Sequence, residues 1–197
     1  MIYESVPWKR QLIRDADLLE RWSPKESSDR RTYLLESKVF NGAYAMRKLA
    51  HSYKLSSSFD DRNVPCKRYT STKPMTWMDR WQYWDHFDMA TPTIACINGL
   101  QLIDMIIHSY VFEQFYEDEA SLETNFIVTS DWKRNTHLWQ FKLPDFAALM
   151  RVAGNDYPSE IRMSFSRDEK DWRMWRGNGQ PHADTGREAG KAQEDEG

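Results

Sequence analysis

The run from Ile94 to Ile107 constrains this chain most, because it holds only three polar side chains, Asn98, Gln101 and Asp104. A segment that is apolar almost all round has no face to give to water and must lie inside the molecule. Thr91 and Pro92 precede it in the order of an N-cap followed by proline in the first helical turn. The run therefore predicts a central buried helix, against which the remaining elements pack. It is shorter than the roughly 18 apolar residues a membrane helix needs, and no longer apolar run occurs. The N-terminus MIYESVPWKR lacks the apolar core of a secretion signal. These features predict a protein with no membrane span, cytoplasmic in location.

Two helices are expected before this run. After Ser5 and Pro7, the residues Trp8, Leu12, Ile13, Ala16, Leu19 and Trp22 recur at spacings of three and four, up to a Ser23-Pro24 break. From 29 to 53 a longer pattern runs through Leu35, Val39, Ala43, Met46, Leu49 and Ala50, with Gly42, Ala43 and Ala45 forming a patch that admits a close neighbour. The segment 64–70 leans to β, but Pro65 restricts it to an edge strand or an extended loop. Thr76 with Asp79 resembles a capping box and starts a helix at Trp77. Around that helix Trp77, Met78, Trp81, Tyr83, Trp84 and Phe87 cover more than half the circumference. Such an arc belongs in the core or against a partner, so Trp77, Trp81 and Trp84 form a candidate aromatic interaction surface.

Beyond Ser109 the texture becomes β. Residues 110–115, 125–132 and 137–143 read as strands, the last two as a hairpin around Lys133-Arg134-Asn135. A helix over 145–153 follows Pro144 and stops at Gly154 as at a glycine C-cap. Ile161, Met163 and Phe165 then alternate with polar residues, and 172–175 returns as a partner strand. The expected fold class is α+β, with a helical N-terminal half, a central buried helix and an antiparallel sheet in the C-terminal half. Residues 1–176 form a single domain in this reading. Residues 177–197 lack aromatic and branched aliphatic side chains and are expected to be a disordered acidic tail.

Charge argues against polyanionic partners. Removing the two basic and five acidic residues of 177–197 from the totals of 27 and 30 leaves 25 of each sign. A neutral body has no field to gather nucleic acid, so nucleic-acid binding is not favoured. Lys67, Arg68, Tyr69 and Lys73 are better read as solvated cations and core aromatics than as a single-strand platform. A helix-turn-helix centred on Gly42 fails, since Lys38 and Asn41 occupy positions where its packing wants small or apolar groups. Cys66 and Cys96 are far apart in sequence and fit neither a disulfide framework nor a zinc motif, so both are expected to be reduced.

The chain contains none of the glycine-rich nucleotide loops, the H-E-x-x-H pair, the G-x-S-x-G elbow or an EF-hand loop. No cofactor and no metal are expected. On a helix Asp85 and His86 diverge while Asp88 falls nearer Asp85, and the group reads as a polar helix end rather than a ligand set. The most informative constellation is Gln101, Asp104 and His108, which share one stripe of the apolar run. Asp104 and His108 are four apart, close enough for carboxylate and imidazole to bond. A satisfied polar network is the leading reading of this stripe, and a functional site the second. Asp131-Trp132-Lys133, with Glu123 upstream, resembles the acid-x-lysine element of restriction-type nucleases. That resemblance implies a divalent cation held by Asp131 and a second acid, with Lys133 stabilising developing charge; the flanking residues favour a charged hairpin turn.

The leading expectation is a non-catalytic binding or accessory protein that acts through a protein partner or its own oligomer. Behind it stand a hydrolytic enzyme using Asp104 and His108, and a metal-dependent nuclease around Asp131 and Lys133.

Overall fold

The structure, a computed structural model, describes residues 2–22, 28–115, 124–168 and 170–178. Helix α1 (Val6–Glu20) has proline in its first turn, as the sequence signal predicts. Its buried face consists of Lys9, Leu12, Asp15, Ala16 and Leu19, whereas Trp8, expected inside, is exposed. Lys9 takes its place because the amine finds acceptors: it donates to the backbone carbonyls of Lys54, at 2.8 Å, and of Asp156. Helix α2 (Asp29–His51) is capped by the Ser28 hydroxyl, which accepts from the Arg31 N–H. The Ser23-Pro24 break lies outside the described residues. The small-residue patch does admit a neighbour: a Cβ on Gly42 would fall 2.8 Å from the Met150 methyl.

After a single turn, α3 (Ser57–Asp60), strand β1 (Asn63–Thr70) begins. The apolar run then divides into strand β2 (Thr93–Asn98) and helix α4 (Gly99–Ile107), which corrects the expected helix from Thr91. Two local causes are visible. Thr91 is engaged in a turn, its N–H and hydroxyl both donating to Asp88, so it does not cap a helix. Asn98 is the cap instead, its side-chain oxygen accepting from Leu100 N–H at 2.9 Å, while the β-branched Thr93, Ile94 and Ile97 suit a strand. Strands β3 (Ser109–Phe115), β4 (Asn125–Ser130) and β5 (His137–Lys142) follow, the last two forming the expected hairpin.

The fold is α+β, with one antiparallel five-stranded sheet in the order β2-β1-β5-β4-β3. β1 is interior, pairing with β2 from Asn63 to Arg68 and with β5 from Lys67 to Thr70. This overturns the edge assignment drawn from Pro65, and the register explains how: Pro65 lies where only β2 flanks the strand, before pairing with β5 begins. The antiparallel order leaves the two edges, β2 and β3, running the same way. Helix α4 carries the chain from one edge to the other.

Helices pack on one face. Leu102, Ile103 and Ile106 of α4 meet Phe126, Val128 and Phe141 of the sheet and Phe146 of helix α5 (Leu143–Asn155) in a single apolar cluster. The opposite face buries Tyr69, Ile127, Leu138 and Val111 under Tyr83 and Phe87. β4 is consequently buried along its whole length. α5 runs through Gly154 to Asn155, which corrects the expected glycine stop. Gly154 is required by proximity instead: a Cβ there would lie 2.6 Å from Ile13 and 3.0 Å from the Lys9 carbonyl, so α1 and α5 touch at this point.

The segment Trp77–His86 is a 3₁₀ helix with a kink at Gln82, not an α-helix. Its start is as expected, with the Asp79 carboxylate accepting from the N–H of Thr76 at 3.0 Å and from its hydroxyl at 2.6 Å. Strands β6 (Glu160–Ser166) and β7 (Asp171–Gly177) form a separate two-stranded ribbon, tied to the body through the buried Arg176, which pairs with Asp60. β7 reaches Gly177, one residue into the expected tail; residues 179–197 lie outside the described residues.

Candidate functional site

Gln101, Asp104 and His108 fall on the exposed side of α4 and line one pocket of about 460 Å³. Their positions follow from the helix: Leu102, Ile103, Met105 and Ile106 face the core, so the polar stripe is turned outward. The same pocket is lined by Trp132 and Lys133 from the turn after β4, together with Arg47 of α2, Cys96 of β2 and Trp139 of β5. Two groups of candidate residues that are remote in sequence thus share one cavity. The backbone closes the join: His108 N–H donates to Asp104 at the helix end, and its carbonyl accepts from Asp131 N–H at 3.3 Å.

The Asp104 carboxylate bonds the Arg47 guanidinium rather than the His108 imidazole. Arg47 and Trp139 were not among the sequence candidates. Arg47 is separated from α4 in the chain by α3, β1, the 3₁₀ segment and β2, and only the packing of α2 beside α4 could reveal it. The indole N–H of Trp139 is buried without a hydrogen-bond partner among the described residues. At the neighbouring His137, burial and the positive charges of Arg68 and Lys133 lower the imidazole pKa. Among the described residues no three His, Cys, Asp or Glu side chains are grouped as a metal centre would need, and Glu123 lies outside them.

The aromatic candidates take a different arrangement from that expected. Gln82 departs from helical geometry and divides the Trp77–His86 segment; Tyr83 and His86 are buried, whereas Met78, Trp81 and Trp84 are exposed. Trp77, Met78, Trp81 and Trp84 are 62%, 81%, 73% and 48% exposed. The α-helical arc expected from the sequence does not form, because the segment is 3₁₀ and broken at Gln82. The segment is nonetheless fixed: burial and the Glu113 carboxylate that accepts its hydroxyl raise the Tyr83 pKa, and Arg80 lies 3.8 Å from the Trp77 ring centre and 4.6 Å from that of Trp81.

No protein-family model, curated protein or solved structure matches this chain.

Proposed function

We propose that the protein is a non-catalytic binding or accessory protein that works by association through the exposed side chains of Met78, Trp81 and Trp84, with a second copy of the chain as its first partner. The observation that carries this reading is the exposure of three large apolar side chains, Met78, Trp81 and Trp84, on one short segment that buries Tyr83 and His86. Large exposed apolar patches are uncommon on monomers and are typical of the cores of protein interfaces, where tryptophan is enriched. A second copy suits the charges: the body is electrically neutral, so like molecules do not repel, and Asp79, Arg80 and Asp85 set both signs on the same segment.

The free thiols of Cys66 and Cys96, on adjacent strands, accord with a reducing, cytoplasmic setting. No helix among the described residues is long and apolar enough to cross a membrane. A hydrolytic role for Asp104 and His108 has less support, because the carboxylate that would orient the imidazole is bonded to Arg47. Sedimentation velocity of the full chain between about 1 and 100 μM tests the proposal. A sedimentation coefficient that rises with concentration, and does so less in Trp81→Ala, is expected; a monomer throughout would overturn self-association.

A further inference from the structure

We propose that the pocket beside α4 binds a small aromatic anion, with its ring against Trp132 and its charged head among Lys133, Arg47 and His108. A volume of about 460 Å³ suits a small molecule. Donors dominate the polar lining: Lys133, Arg47, His108 and Gln101 face a single acid, Asp104, whose carboxylate is already taken up by Arg47. The positive charge of Lys133 is consequently left over, and its field reaches His137.

Trp139 lines the same cavity. Trp132, 87% exposed beside Lys133, offers an open ring face on which a planar group stacks. The larger groove of about 1160 Å³ along α5 and β7 is lined by Arg151, held by Asp17 and Glu20, and by Arg176, held by Asp60.

The test is an NMR titration of the full chain, following the assigned indole N–H resonances. The probes are AMP and 2-naphthoate, with adenosine and 2-naphthalenemethanol as their neutral counterparts, each to about 5 mM. At least one anion should shift the Trp132 and Trp139 signals, its neutral counterpart should bind at least about tenfold more weakly, and Lys133→Ala should weaken the anion by about tenfold. Lys133 contributes only backbone bonds to its turn, so the variant keeps the fold. As a second readout, the bound anion should slow alkylation of the exposed Cys96, while Cys66, whose thiol burial pushes up to about 11, stays unreactive with or without it. If neither anion moves the two indoles, if the neutral molecules bind equally well, or if Lys133→Ala binds as the parent does, the proposal is overturned.

Discussion

Lys9 shows how a single residue can contradict the pattern around it. Only 1% exposed, it sits where the periodicity of α1 calls for an apolar side chain, and its stem fills that space while its amine satisfies two carbonyls. Burial lowers the amine's pKa, and the Tyr157 ring, 4.1 Å away, gives the cation a further partner. Lys9→Met keeps the packing but strips Lys54 and Asp156 of their donor, so it should cost about 1–3 kcal/mol, read from guanidinium unfolding. His137 makes a pH-dependent contribution of definite sign. Burial, Arg68 and Lys133 hold its folded pKa below 6.5, so the unfolded chain binds the extra proton first and stability falls as pH drops below about 6.5. His137→Asn should flatten this part of the stability profile between pH 7 and 5, and an unchanged slope would assign it to other groups.

At the scale of elements, packing decided where local signals were ambiguous. The capping box at Thr76, the β4/β5 hairpin and the β6/β7 ribbon were legible because each rests on contacts between residues close in sequence. The division of 94–107 was not, because an apolar run without periodicity fits a buried strand as well as a buried helix. Its answer lay in β1, whose pairing claims Thr93 to Asn98, and in the Asn98 cap. Gly154 likewise reads as a helix stop until α1 is seen against it. Gly154→Ala should improve helix propensity yet destabilise the protein by about 1–3 kcal/mol, since the new methyl group meets Ile13 and the Lys9 backbone. A thermal melt at or above the parent's would show that the two helices can part without cost.

Across the whole molecule, the sheet is covered thickly by helices on one face and thinly by one 3₁₀ segment on the other. The thin cover explains the surface: a single irregular strip has room to bury Tyr83, His86 and Phe87 but not the tryptophans that alternate with them. The sequence showed that this strip was aromatic and that 101, 104 and 108 shared a stripe. It could not show that the strip winds at three residues per turn, or that Arg47, Trp132 and Lys133 meet the stripe in one pocket. Those facts depend on α2 and the β4/β5 turn converging on α4 across the fold. If Met78, Trp81 and Trp84 are a contact surface and no part of the core, removing Trp81 leaves the stability of the monomer nearly unchanged. Guanidinium unfolding of Trp81→Ala, at a concentration low enough to keep parent and variant monomeric, tests it most directly. A free energy within about 0.5 kcal/mol of the parent is expected. A loss of about 3–5 kcal/mol, the cost of emptying a buried tryptophan site, would contradict it.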